Sequence, residues 1–142
     1  MTFKSDTEIA ALTAAFRNRT LPKAKWTHAA HWAVALCLIA ENEAVARRDM
    51  PGMIRAYNEA VGGRNTDSEG YHETITVASL RAASHEIASA SFGTPLHVVL
   101  ANLMSGPYGK PDWIFTYWSR ECVFSFKARR EWVEPDVQPL PF

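Results

Sequence analysis

The amino-acid sequence predicts an all-α protein, and three observations support this fold class. The stretch 26–40, WTHAAHWAVALCLIA, is apolar almost all round, as expected for a helix that is buried on every side. Residues that typically begin helices, such as Ser5 followed by Glu8 and Thr94 followed by Pro95, precede segments with helical spacing. We found no convincing alternation of apolar and polar residues of the kind that marks a half-buried strand. We therefore expect a bundle of five or six helices around a buried central helix.

The capping residues and the apolar spacing give the order of these helices. Pro51 occupies a first-turn position and would open a short third helix, which Gly62 and Gly63 stop. We expect Asp112 to cap the sixth helix and Ser125 to cap one last turn. The predicted helices cover about 6–19, 26–48, 51–61, 71–91, 95–104 and 113–118, with the last turn around 128–131. The second, at about 26–48, is the central helix.

The last ten residues, VEPDVQPLPF, contain three prolines and are expected to be extended. Such a tail would lie over the surface of the bundle or over a neighbouring subunit, which leaves a homodimer open. The chain of 142 residues is long enough for one core, so we expect a single domain over residues 1–142.

Charge and composition exclude several classes of function. Fifteen basic residues balance fifteen acidic ones, which argues against nucleic acid or a membrane surface as a partner. The N-terminus lacks the apolar region of a signal peptide, and the two cysteines, Cys37 and Cys122, form no disulfide framework. We therefore expect a cytoplasmic protein. The chain has no phosphate-binding or dinucleotide-binding glycine motif, so no nucleotide or organic cofactor is indicated.

Three histidines near predicted helix starts are the strongest candidates for a functional site. His28 and His31 are three positions apart, and this spacing can offer two imidazoles to one metal ion. His72 lies near the start of the fourth helix, followed by Glu73. If the two helix starts meet, the three rings would converge on a divalent ion such as Zn, Fe or Mn, with Glu73 as an acid/base or supporting residue. The alternative is a structural network of histidine, glutamate and threonine side chains.

Two further features could contribute to a site. Thr76 and Ser79 follow His72 along roughly one face of the fourth helix and form a polar stripe. Arg120 lies in the aromatic segment 117–121, YWSRE, where a guanidinium needs a carboxylate or an anionic ligand. It is either a clamp for a small anionic substrate or one partner of a salt bridge.

Several segments resemble a family of small bacterial proteins of uncharacterised function. These are WTHAAH at 26–31, GYHETIT at 70–76, YWSRE at 117–121 and ARREWVEPD at 128–136. The resemblance covers most of the chain from about residue 20, and it implies a bacterial, cytoplasmic protein with a single domain. It implies no activity or substrate.

Two functional hypotheses follow from these residues. The first is a small metal-binding enzyme with His28, His31 and His72 as ligands, Glu73 as acid or base and Arg120 as an anion clamp. The second is a metal-free module that binds a ligand or a protein partner, in which the histidines are structural.

Overall fold

The computed structural model describes residues 3–142, and over that range the protein is all-helical, which confirms the predicted fold class. Short 3₁₀ helices cover Lys23–Lys25, Pro107–Gly109 and Pro111–Thr116. No strand occurs within residues 3–142. The α-helices are α1 (Asp6–Arg17), α2 (His28–Glu41), α3 (Glu43–Ala60), α4 (Glu73–Ser89), α5 (Leu96–Ser105), α6 (Arg120–Val123) and α7 (Phe126–Arg130).

Helix α2 is the centre of the bundle, as its sequence predicts. Its residues Ala33, Val34 and Leu36 are completely buried. The helix packs against α1, α3, α4 and α5, so apolar residues are needed on all of its faces. The described residues include no helix that combines the length and the apolar character needed to cross a membrane.

The central helix is shorter than predicted, because Asn42 divides the segment 26–48 into two helices. Its backbone is extended, with φ −169° and ψ 110°, so α2 ends there and α3 begins at the next residue. The Asn42 side chain accepts a hydrogen bond from the backbone N–H of Val45 at 3.1 Å, which is the usual geometry of a helix N-cap. Helix α3 then continues through Pro51. The prediction that Pro51 opens a new helix is therefore wrong.

Other helix ends agree with the sequence in part. The hydroxyl oxygens of Ser5 and Ser125 cap α1 and α7 as predicted. The predicted sixth helix is a 3₁₀ segment, and Asp112 makes no capping bond in it. Helix α5 receives its cap from a distant residue, because the Asp6 carboxylate accepts hydrogen bonds from the backbone N–H groups of Leu96 and His97.

The C-terminal tail is extended and lies against its own chain. The backbone N–H of Val137 donates to the carbonyl of Tyr117 at 2.9 Å. The Asp136 carboxylate accepts hydrogen bonds from the backbone N–H and the hydroxyl of Ser119. Phe142 packs against the core at the end of the tail. These bonds hold the tail along the 3₁₀ segment and α6.

Candidate functional site: an apolar pocket beside the central helix

A pocket of about 350 Å³ lies between α2, α3, α4 and the 3₁₀ segment Pro111–Thr116. This volume falls in the range of pockets that hold small molecules. Most of its lining is apolar, and no Asp, Glu, Lys or Arg side chain contributes to it. Its polar side chains are His28, His31, Thr76 and Ser79.

His31 is held in one orientation at the pocket by the start of α2. The carbonyl oxygen of Thr27 accepts hydrogen bonds from the backbone N–H of His31 at 3.0 Å and from its ring Nδ1 at 2.7 Å. The imidazole lies on the indole of Trp26, with ring centroids 3.8 Å apart, and Trp26 stacks on Phe16 at 4.5 Å. A neutral ring that donates from Nδ1 carries its lone pair on Nε2. Within residues 3–142, that nitrogen has no hydrogen-bond partner.

His31 is exposed to solvent, and neighbouring protein atoms displace part of the hydration of its ring. This loss of hydration lowers the pKa of His31, and the bond to the Thr27 carbonyl acts in the opposite direction. His28 lowers the pKa further. At neutral pH the ring is therefore neutral, and Nε2 is an acceptor.

His28 lines the same pocket, but its Nε2 is already engaged. This nitrogen lies 2.8 Å from the carbonyl oxygen of Tyr108 and 3.2 Å from the indole nitrogen of Trp32. In one tautomer it donates to the carbonyl, and in the other it accepts from the indole. The remaining ring nitrogen, Nδ1, has no partner among the residues that the structure describes.

His72 does not join the other two histidines, because it caps α4 and does not line the pocket. Its Nδ1 accepts a hydrogen bond from the backbone N–H of Ile75 at 3.2 Å, and its Nε2 donates to the carbonyl of Val123 at 2.5 Å. The side chain is buried, and this burial lowers its pKa. Since both ring nitrogens are hydrogen-bonded, His72 presents neither to a metal ion in this arrangement. The predicted convergence of three imidazoles is not observed.

Glu73 also lies outside the pocket. Its carboxylate accepts a hydrogen bond from the Tyr71 hydroxyl, and the guanidinium of Arg55 covers the Tyr71 ring at 4.2 Å. Burial raises the pKa of Tyr71, and the bond to Glu73 raises it further. In this arrangement Glu73 orients Tyr71 at the start of α4, and it does not reach a ligand in the pocket.

Arg120 is exposed, and the salt bridge that was one of its two predicted roles is not observed among the described residues. Its guanidinium lies 4.1 Å from the ring centroid of Phe115. It forms no ion pair with the described residues and does not line the pocket. Because Arg120 is exposed on α6, water solvates its charge, and the guanidinium needs no carboxylate partner.

The predicted polar stripe on α4 does reach the pocket, through Thr76 and Ser79. The Ser79 hydroxyl donates its hydrogen to the carbonyl of Ile75 at 2.7 Å, which leaves its oxygen lone pairs as acceptors. The stripe therefore faces α2, whereas the side chain of its first member, His72, turns back over the N-terminus of α4.

The apolar wall of the pocket was not predicted from the sequence. Met50 and Ile54 of α3 and Trp113 and Ile114 of the 3₁₀ segment supply much of it. Their signal in the sequence is weak, since any core residue shows the same apolar spacing. The high number of tryptophans, five in 142 residues, was the one indication of an aromatic pocket.

The described residues contain no group of three or more His, Cys, Asp and Glu side chains placed to hold a metal ion. His28 and His31 remain as two nitrogen donors on one pocket. A catalytic zinc site ordinarily has three protein ligands, so these two alone form an incomplete set.

The chain matches no protein-family model, no curated protein and no solved structure. The resemblance to a small bacterial family stays a prediction, and the functional argument depends on the pocket itself.

Proposed function

We propose that the protein binds a small, mostly apolar molecule in the pocket beside α2. The observation that carries this proposal is an apolar pocket of about 350 Å³. The imidazole of His31 forms part of its lining and is held in one orientation. Ligand pockets commonly combine apolar walls with a few fixed polar groups that orient the ligand.

The orientation of His31 supports binding rather than packing alone. A ring that is fixed by the Thr27 carbonyl and the Trp26 indole loses little further freedom when a ligand arrives. Its Nε2 gains a partner only from the ligand or from water. This proposal is the metal-free alternative with one change: His72 keeps the structural role predicted for the histidines, whereas His31 takes a binding role.

The proposal is tested by titrating ¹⁵N-labelled protein with 1-methylindole and following amide chemical shifts. We expect shifts at pocket residues such as Ala35 and Ser79, because the probe needs only an apolar cavity of this size. No shift up to the solubility limit of the probe would contradict the proposal, as would shifts confined to another part of the protein.

Two variants that fill the pocket sharpen the test. Ala35→Leu and Thr76→Leu each add bulk at the lining, and we expect each to weaken 1-methylindole binding by about tenfold, the effect of losing about two buried methylenes of contact. The matched control is Ala44→Leu, an exposed position on α3 outside the lining, which should leave the affinity unchanged.

The metal-binding enzyme is the competing proposal, and it makes a different prediction. Elemental analysis of protein purified without chelators would show about one equivalent of Zn, Fe or Mn, as expected for one metal site per chain. That metal should be lost in a His28→Ala/His31→Ala double variant. Such a result would favour the metal enzyme over the metal-free pocket.

A further inference from the structure

We infer that the ligand of this pocket is an uncharged aromatic molecule that donates an N–H or O–H hydrogen bond, and that Nε2 of His31 accepts it. This inference rests on the proposed function, because it assigns the chemistry of the ligand for the same pocket. Three properties of the lining carry it: the absence of charge, the two fixed acceptors His31 and Ser79, and the aromatic walls.

The absence of charge selects an uncharged ligand. No Asp, Glu, Lys or Arg side chain lines the pocket. An ion that enters it would lose hydration without gaining a partner of opposite charge, which is strongly unfavourable. Arg120, the anion clamp considered from the sequence, is exposed on α6 and does not line the pocket.

Two polar side chains of the pocket are fixed as hydrogen-bond acceptors. His31 offers the Nε2 lone pair because its ring hydrogen is used on the Thr27 carbonyl. Ser79 offers oxygen lone pairs because its hydroxyl hydrogen is used on the Ile75 carbonyl. A ligand that brings only acceptors would therefore leave these groups unsatisfied, whereas an N–H or O–H donor satisfies one of them.

The walls favour an aromatic ring. Trp32 and Trp113 both line the pocket, with ring centroids 5.7 Å apart and planes inclined at 50°. Met50 adds a thioether, a group that makes favourable contacts with aromatic rings. The edges and faces of these side chains favour a planar ligand of one or two aromatic rings. A flexible aliphatic chain would lose more conformational freedom on binding.

The experiment compares indole with 1-methylindole in the same NMR titration. The two probes have the same ring system, but the methyl group removes the N–H donor. The extra methyl group alone would make 1-methylindole the tighter ligand by about fourfold in an apolar pocket. We expect indole to bind at least as tightly as 1-methylindole, because its hydrogen bond to His31 offsets the missing methyl group.

His31→Phe isolates the acceptor. The variant keeps an aromatic ring next to Trp26 and removes Nε2. We expect the ratio of the indole and 1-methylindole dissociation constants to shift by about fivefold in favour of 1-methylindole, the effect of one ordinary hydrogen bond. Ser79→Ala is the control at a second acceptor, and it should shift the ratio less.

The outcomes separate the inference from the proposed function. If neither probe binds, the pocket is not a ligand site and both fail. If both bind and His31→Phe leaves their ratio unchanged, the pocket stands and the assignment of a donor ligand to His31 is overturned. Phenol and anisole form a second pair on the wild-type protein. If His31→Phe does not fold, they test whether the pocket prefers a donor, and tighter binding of anisole would overturn the inference.

Discussion

His31 and His72 both lie at the start of a helix, but their rings meet the backbone in different ways. The Thr27 carbonyl takes the Nδ1 hydrogen of His31 and leaves Nε2 open to the pocket. His72 is the N-cap itself, so its Nδ1 accepts from the Ile75 amide and its Nε2 reaches Val123. The sequence placed both near helix starts. The sequence could not separate their roles, because the position of the helix start, to within one or two residues, decides which ring nitrogen is hydrogen-bonded to the backbone.

Removing the His72 side chain should destabilise the protein. His72→Ala loses the cap of α4 and leaves the buried carbonyl of Val123 without its donor, so we expect a loss of about 2 kcal/mol in the free energy of unfolding. Urea denaturation measures it. The matched control is His72→Asn, whose amide oxygen can still cap the helix and which should lose less.

The same denaturation, repeated with a chelator, distinguishes a structural histidine from a metal ligand. If His72 is structural, the difference between wild type and His72→Ala stays the same after chelation. If that difference disappears, His72 is a metal ligand, and the hydrogen bonds described for it do not account for its role.

At the scale of the helices, the apolar pattern predicted which segments are helical better than it predicted the residues at which one helix ends and the next begins. The burial of α2 follows directly from residues that are apolar on every face. The helix boundary at Asn42 was missed, because the polar run of Glu41, Asn42 and Glu43 was interpreted as one helix emerging into solvent. Pro51 strengthened the wrong division, since proline is most common in a first turn. In the structure it lies within α3, which already has its cap nine residues earlier.

Asn42 therefore offers a test of the joint between α2 and α3. Asn42→Ala removes the bond to the Val45 amide, and we expect it to lower the free energy of unfolding by about 1 kcal/mol. Asn42→Asp keeps an acceptor at the cap and should stay within about 0.5 kcal/mol of the wild type. Thermal and urea denaturation of the two variants side by side measure the difference. If the two variants lost the same free energy of unfolding, the hydrogen bond from the Val45 amide to the cap would not be what stabilises the boundary between α2 and α3.

At the scale of the whole molecule, the bundle decides which predicted residues become neighbours. The sequence correctly predicted that α2 is buried and that Thr76 and Ser79 share a face. It could not predict that α3 and the 3₁₀ segment Pro111–Thr116 close the same space, because these contacts join residues far apart in the chain. The pocket is thus a product of tertiary packing, and only two parts of its lining show a recognisable spacing in sequence: the pair His28 and His31, and the pair Thr76 and Ser79.

The stability of the whole molecule should fall in two steps as the pH falls. Burial lowers the pKa of His72 below the ordinary value of 6.5, so near and below that pH the unfolded chain binds a proton that the folded protein does not. The contribution of the neutral His72 ring to the free energy of unfolding is fully present above pH 6.5 and declines as the pH falls through the lowered pKa. We expect a second decline in stability near and below pH 4. A hydrogen bond from Arg130 lowers the pKa of Asp67, and hydrogen bonds from Ser119 lower the pKa of Asp136.

Urea denaturation at pH 7.5, 6.5, 5.5 and 4.5 would follow the first step. For a single group the slope cannot exceed about 1.4 kcal/mol per pH unit, and His72→Asn should flatten the curve by no more than that amount. His31 also has a lowered pKa, so the free energy of unfolding of the variant should still depend on pH. This remaining slope should be smaller, because the His31 ring is exposed to solvent. A curve that stays flat from pH 7.5 to 5.5 in the wild type would show that protonation of His72 costs the folded protein no stability. Its Nδ1 would then have to release the Ile75 amide, so the same titration also tests whether this hydrogen bond holds the start of α4.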